Sequence, residues 1–154
     1  MNLPASTEVD NSKYANYQTK FSSLIAKNID GVGSILFEMK YFYPKKIKKS
    51  YQEFSEYVIL TCLDAIKISK QNGWKKIRVY LNLNNCSMNN FSLKIFKHIN
   101  NLTATAFPES LETCFICSTT KLFQILWGMV YKIIDKDTRP KFKLVGDFSH
   151  LFNK

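Results

Sequence analysis

The chain has 154 residues, which is enough for one globular domain and short for two. Hydrophobic residues make up 45% of it and charged residues 22%, while 5 Gly and 4 Pro are too few for a low-complexity or collagen-like chain. The formal net charge is +10, and residues 31–101 carry most of it, with twelve Lys or Arg against four acidic residues.

The chain begins with a predicted helix. Tyr14, Tyr17 and Phe21 recur at helical spacing, which predicts a helix over residues 12–27. The segment 28–31, Asn-Ile-Asp-Gly, has the composition of a turn, and we expect the helix to end there. On this reading, no strand precedes residue 31.

A strand, a long helix and a second strand follow. The short apolar run 33–39 comes after the turn and predicts the first strand. Residues 50–70 have the apolar spacing of an amphipathic helix, and Ser50 and Glu53 are spaced as a capping box at its start. Residues 76–83 alternate strictly between apolar and polar side chains, which predicts the second strand.

The second half of the chain continues the alternation of helices and strands. The predicted elements are a helix over 87–101, a strand over 111–117, a helix over 119–134 and a strand over 141–145. Strands joined by helical crossovers indicate an α/β fold whose sheet is mainly parallel. Ligands of such folds bind beside the carboxyl ends of the strands or under a covering element.

The sequence lacks the motifs of the common enzyme and cofactor classes. Gly31-Val-Gly33 is followed by neither a GK[ST] nor a GxGxxG pattern, and His98 and His150 have no evident catalytic partner. Cys114 and Cys117 are spaced like half a zinc site, but a strand would point their sulfurs to opposite faces. We therefore predict reduced thiols, no metal, no cofactor and no enzyme activity.

The basic middle section contains a candidate membrane-docking patch, formed by Lys45, Lys46, Lys48 and Lys49. Such charge attracts the phosphates of anionic membranes or nucleic acids, although a solvated face is the simplest interpretation. No recognition motif supports a nucleic acid partner, and none is expected. The N-terminus lacks the regions of a secretory signal, so we expect a cytoplasmic protein that associates with membranes at their surface.

Residues 122–134 are apolar on nearly every side of the predicted helix. Such a helix is either buried on several sides or in contact with something apolar. It is too short to span a bilayer but suits a lid or an interfacial segment, and Gly128 weakens its middle by about 1 kcal/mol relative to Ala. A packed crossover helix is the alternative, and composition alone favours it.

Two motifs flank this helix at a defined separation. Phe107-Pro108-Glu109 precedes the strand 111–117, and Asp135-x-x-Thr138-x-x-Lys141 precedes the last strand. In this order and spacing they resemble the core of the CRAL-TRIO lipid-binding family, which includes the secretory phosphatidylinositol-transfer proteins and the tocopherol and retinal carriers. A weaker resemblance extends from about residue 31 to 145, although Asn82–Asn85 and Ser118–Thr120 depart from the family pattern.

The resemblance implies a mixed sheet that forms the floor of a hydrophobic pocket, with residues 122–134 as a gate helix over a hollow. It also implies that Glu109, Thr138 and Lys141 contact the lipid head group, for which capping and solvation are the alternatives. The candidate pocket residues, for which core packing is an equally good interpretation, are Leu81, Leu83, Phe115, Phe123, Leu126, Trp127 and Val130. Residues 1–30 would be an N-terminal extension with one short helix, and 31–154 a pared-down lipid-binding domain.

Three functional hypotheses follow from these observations. The first is binding, and potentially transfer, of a phospholipid, with a phosphoinositide favoured, at an anionic membrane surface. The second is a non-enzymatic protein-interaction scaffold of the same fold without a lipid cavity. Self-association of the pared-down domain is a further way to cover its apolar face. The third and weakest is nucleic acid binding through residues 45–49, which predicts a steep salt dependence.

Overall fold

A computed structural model describes residues 11–152 of the chain. Its centre is a five-stranded sheet in which the strands lie side by side in chain order. The strands are β1 Leu24–Ile29, β2 Val32–Glu38, β3 Ile77–Asn82, β4 Leu111–Cys117 and β5 Phe142–Val145. β1 pairs with β2 antiparallel, and the other neighbours are parallel. The predicted mixed, mainly parallel α/β sheet is therefore confirmed.

The longer crossover helices cover one face of this sheet, and the first helix packs on one of them. The helices are α1 Asn11–Lys20, α2 Pro44–Ile47, α3 Tyr51–Gln71, α4 Leu93–Ala106 and α5 Thr120–Val130. Because neighbouring parallel strands follow each other in the chain and crossovers are right-handed, the crossover helices α3, α4 and α5 lie on the same side. None of the helices within residues 11–152 is long and apolar enough to cross a membrane.

The N-terminal prediction of a helix over 12–27 is wrong beyond Lys20. Residues 24–29 form the edge strand β1, which joins β2 in a hairpin. Asp30 and Gly31 form its two-residue turn with φ of +53° and +86°, the conformation that a tight hairpin of this kind requires. The domain boundary predicted at residue 30 falls inside this hairpin, so β1 belongs to the same sheet as the rest of the domain.

The backbone of α3 approaches β2 very closely. A Cβ added to Gly33 would lie 1.6 Å from the carbonyl oxygen of Ala65, so only glycine fits at this crossing. The amide of Gly33 donates to the hydroxyl of Ser69, which donates in turn to the carbonyl of Lys76, with both distances 2.8 Å. α3 is thereby held against the middle of the sheet.

Several helix ends differ from the predictions. Ser50 makes no capping bond, because the helical turns over 44–50 run directly into α3 and leave no free helix start. α4 begins later than predicted, because residues 88–90 form a separate turn with its own capping box from Ser87 and Asn90. α5 is capped by Thr119, where the predicted helix starts, but ends at Val130 rather than at residue 134.

The opposite face of the sheet is covered in part by the C-terminal segment. Phe148 is buried there and packs its ring edge against Tyr80, with 5.5 Å between the ring centroids. The ammonium of Lys27 donates to the carbonyl of Leu151 at 2.9 Å. β1 and the C-terminal segment thus contribute to one compact unit with the sheet.

Candidate functional site

The inner side of α5 packs directly on the sheet. Leu126 is buried in one cluster with Leu83, Cys114 and Ile116. Other apolar side chains pack against this cluster while remaining partly exposed, among them Leu81, Leu122, Phe123 and Phe142. Val130, at the end of the helix, is also buried. Most of the residues predicted to line a pocket are therefore brought together between α5 and the strands.

Trp127 and Phe115 occupy different places. Trp127 stacks on Phe123 with 5.9 Å between ring centroids and contacts Phe142 at 5.6 Å, so it lies with the α5 side chains. Phe115 stacks on Tyr80 at 5.1 Å. Because side chains alternate along a strand, Phe115 points to the face opposite the one that carries Leu81 and α5. The structure thus separates Phe115 from the other six candidates.

The space predicted as a hollow beneath residues 122–134 is occupied by these side chains in this structure. Two clefts of the structure lie elsewhere, one of about 60 Å³ between residues 20 and 47 and one of about 400 Å³ between residues 44 and 95. The prediction of an open hollow is therefore wrong for this conformation.

The outer side of α5 exposes apolar side chains to solvent. Ile125 is 47% exposed and Met129 37% exposed, and Tyr131 follows them just after the helix. Leu144 and Val145 on the neighbouring edge strand are exposed as well. The helix is therefore apolar on both sides, as the sequence predicted, but only its inner side is covered.

The Asp-x-x-Thr motif forms a tight turn between α5 and β5. The hydroxyl of Thr138 donates to Oδ2 of Asp135 at 2.7 Å, and the amide of Asp137 donates to Oδ1 at 2.9 Å. These bonds, with smaller contributions from Lys141 and Arg139, hold the pKa of Asp135 below its usual value. Thr138 therefore has a structural role in the turn through its bond to Asp135, although its side chain makes no capping bond to the helical turn that follows.

Glu109 and Lys141 lie at one edge of the sheet. Glu109 precedes β4 by two residues, and Lys141 directly precedes β5. β4 and β5 are parallel, so both loops are at the edge where these strands begin, although β5 starts opposite Cys114, three residues into β4. Glu109 is exposed and has a positive φ of +59°. Among residues 11–152, neither side chain has a hydrogen bond or an ion pair, so both remain available to a ligand.

The predicted docking patch lies at the opposite edge. Lys45, Lys46, Lys48 and Lys49 are all exposed. They follow β2, so they lie where the parallel strands end, whereas the predicted head-group residues lie where β4 and β5 begin. The seven residues of β4, a rise of about 20 Å, lie between Glu109 and the other edge, and the four residues of β5, a rise of roughly 13 Å, lie between Lys141 and that edge. The two predicted sites are therefore physically distinct.

The edge that carries these four lysines is called the basic edge. Sequence reasoning missed other residues that lie at this edge. The cleft of about 400 Å³ is lined by Lys45 and Lys48 from the patch and by further residues from the starts of α3 and α4. The further residues that line it are Pro44, Tyr51, Ser92, Lys94 and Ile95. Ser92 caps α4 by accepting a hydrogen bond from the backbone amide of Ile95. This cap was the available signal that Lys94 lies in the first turn of a helix near the strand ends.

A serine and a histidine meet beside this cleft. His98, expected at the surface, is half-buried, with its Nε2 2.8 Å from the hydroxyl of Ser55 and its ring 4.6 Å from that of Tyr51. The Ser55 hydroxyl donates to the carbonyl of Tyr51 at 2.9 Å. Because that hydroxyl proton is directed to the carbonyl of Tyr51, it is not positioned for transfer to the imidazole.

The cysteines are free thiols. Burial raises the pKa of Cys62 and of Cys114 to about 12 and the pKa of Cys86 to about 11. The sulfur of Cys117 accepts a hydrogen bond from the side-chain amide of Asn84 at 3.1 Å. Because a nucleophilic or metal-binding cysteine acts as the thiolate, the raised pKa values disfavour such chemistry at these three positions.

Comparisons with known proteins agree with this architecture. Residues 18–154 match the CRAL/TRIO domain. Among solved structures, the fold is similar to a crystal structure of Sfh5, with a TM-score of 0.69, 15% sequence identity and 94% of this chain covered. This chain spans 54% of the length of that chain. A comparison with curated proteins found no match.

Proposed function

Since the chain belongs to the CRAL/TRIO domain family, we propose that it binds a phospholipid, preferably a phosphoinositide, at the surface of an anionic membrane. Family membership supports lipid binding as the general class of function. The observation that carries the proposal is α5, whose inner side packs on the sheet while Ile125 and Met129 on its outer side remain exposed. Such a helix can exchange one apolar environment for another.

In this proposal the acyl chains take the place of α5 on the sheet. The cluster around Leu126 and Ile116 becomes the wall of the pocket when α5 moves outward and its exposed side chains enter the membrane interface. Burial of each acyl-chain CH₂ in the pocket contributes about 0.8 kcal/mol, and its burial in the bilayer contributes nearly the same amount. The position of α5, rather than net affinity, therefore controls loading and release.

The head group is proposed to lie at the edge where β4 and β5 begin. The ammonium of Lys141 would pair with the phosphate, and Glu109 would accept bonds from the sugar hydroxyls. Thr138 holds Asp135 and thereby orders the turn from which Lys141 extends. The lysines at the opposite edge would attract the anionic leaflet, with about 1 kcal/mol from each Lys near the surface. On this reading the protein works at cytoplasmic membrane surfaces.

Native mass spectrometry after incubation with phosphatidylinositol-containing vesicles tests the proposal. We expect one added phospholipid mass per chain. Ile125→Glu is expected to slow uptake by at least about ten-fold, because a charge replaces an apolar contact with the interface. Gln124→Glu is the matched control, since it adds the same charge at an exposed neighbour on α5 and should load normally. Bare polypeptide mass under all conditions would contradict lipid binding.

A protein-interaction scaffold is the second candidate. The observation that favours it is the filled space beneath α5, where Leu126 and Phe123 pack against the strands. In that case the exposed side chains of Ile125 and Met129 would contact a protein, including a second copy of this chain, rather than lipid. Unchanged bare mass together with a stable complex lost in Ile125→Glu would favour this candidate.

A further inference from the structure

The cleft of about 400 Å³ at the basic edge has the composition of a site for one anionic group. Lys45 and Lys48 lie on the segment after β2, and Lys94 lies in the first turn of α4, so two chain segments contribute lysines to the lining of one concavity. Tyr51 and the buried Ile95 supply an apolar floor. None of the three lysines forms an ion pair with an acidic residue among residues 11–152, so their charges are not neutralised within the described chain.

Exposed apolar side chains adjoin the residues that line this cleft and are its apolar rim. Tyr43 directly precedes Pro44 and is 46% exposed, and Leu93 lies between Ser92 and Lys94 and is 40% exposed. Tyrosine is enriched at membrane–water interfaces, where its ring lies at the level of the head groups. A soluble anion would need the lysines but not this apolar rim. The rim therefore favours a phosphate that is presented by a bilayer.

We propose that this cleft binds the phosphomonoester of a phosphoinositide in the target membrane, as a second lipid site distinct from the one near Lys141. It deepens the membrane-docking part of the proposed function and rests on it. One lipid would be held beneath α5 as cargo, and another would be recognised in the membrane at the opposite edge. The chain would then select the membrane at which it exchanges cargo.

Adjacent lysines provide a sharp test of this proposal. Lys48 and Lys49 are neighbours, both exposed, and only Lys48 lines the cleft. Likewise Lys94 lines the cleft and the exposed Lys97, one turn later on α4, does not. Four variants are compared: Lys48→Gln, Lys94→Gln, Lys49→Gln and Lys97→Gln. Binding to phosphatidylinositol 4-phosphate vesicles and to phosphatidylserine vesicles of equal surface charge is measured by sedimentation.

Wild-type protein is expected to prefer the phosphatidylinositol 4-phosphate vesicles. Lys48→Gln and Lys94→Gln are expected to lower the ratio of the two affinities by about five-fold each, since each removes a lysine that contacts the phosphate. Lys49→Gln and Lys97→Gln should lower both affinities alike and leave the ratio unchanged. Equal effects of all four variants on the ratio would overturn the proposal, because they would indicate diffuse attraction only.

Two further measurements separate the alternatives. Inositol 1,4-bisphosphate that binds as tightly as the vesicles would overturn the membrane source and indicate a soluble ligand. Cargo loading by native mass spectrometry is expected to persist in Lys48→Gln when lipid is supplied as a soluble short-chain form. Wild-type protein that stays unloaded while retaining the vesicle preference would refute the cargo site and leave the cleft supported.

Discussion

The side-chain amide of Asn90 donates a hydrogen bond to the carbonyl oxygen of Phe42 at 3.0 Å. The same amide donates to the carbonyl of Lys40 at 3.2 Å, and its oxygen accepts from the amide of Ser87 at 3.0 Å. Asn90 is buried, and its bond to Phe42 is buried with it, whereas the bonds to Lys40 and Ser87 are partly buried. One side chain thus joins the segments that follow β2 and β3, which together form the basic edge.

We expect Asn90→Ala to destabilise the protein and disorder that edge. The substitution leaves the carbonyl of Phe42 without its buried donor, which costs about 1–3 kcal/mol. Asn89→Ala is the control, because Asn89 is exposed and bonds to Ser87 through its backbone amide, which alanine retains. Urea unfolding of the two variants measures the difference. Similar unfolding free energies would mean that the Asn90 bonds contribute little.

The contact between Gly33 and α3 leads to a second expectation. Gly33→Ala would force its methyl group into the carbonyl of Ala65, so α3 and β2 would have to separate. We expect a loss of about 1–3 kcal/mol or more in the free energy of unfolding. Gly128→Ala serves as the contrast, since among the described residues a Cβ there would meet nothing within 4 Å beyond its own helix backbone, and the change should stabilise α5 by roughly 1 kcal/mol.

Thermal or urea unfolding distinguishes the two substitutions by the sign of their effect. A neutral Gly33→Ala would show that the backbones of α3 and β2 can separate at little cost. Stabilised Gly128→Ala protein that also loads lipid more slowly would link the weakness of α5 to its movement.

The strong periodic patterns predicted most of the fold. The strand over 111–117 matches β4 residue for residue, because it is a short apolar run bounded by turns. β1 was missed because Leu24 continues the helical spacing of Tyr17 and Phe21 by coincidence. Asp30-Gly31 was the available signal for a hairpin, and it was interpreted as the end of a helix.

The candidate site was less predictable than the fold. The face to which Phe115 points depends on its pairing with Tyr80, which propensity alone does not specify. The filling of the space beneath α5 depends on side-chain packing across three strands, and no local pattern encodes it. The separation of Lys46 from Lys141 was predictable in principle, since one follows a parallel strand and the other precedes one.

That separation allows the head-group site to be tested without membrane docking. We expect Lys141→Ala to weaken binding of soluble dioctanoyl phosphatidylinositol by about ten-fold, because it removes the ammonium that pairs with the phosphate. Lys46→Ala, at the opposite edge, should bind this ligand like the wild type. Lys143→Ala is the closer control, since Lys143 is exposed two residues further along β5.

Isothermal titration calorimetry at two salt concentrations provides the measurement. The loss in Lys141→Ala should persist at the higher concentration if the ammonium contacts the phosphate directly, because a direct contact is screened less than a distant charge. Equal losses in all three variants that disappear at high salt would show that the lysines act only through the overall field. The assignment of Lys141 to the head group would then be wrong, while lipid binding beneath α5 could still be judged from the native masses.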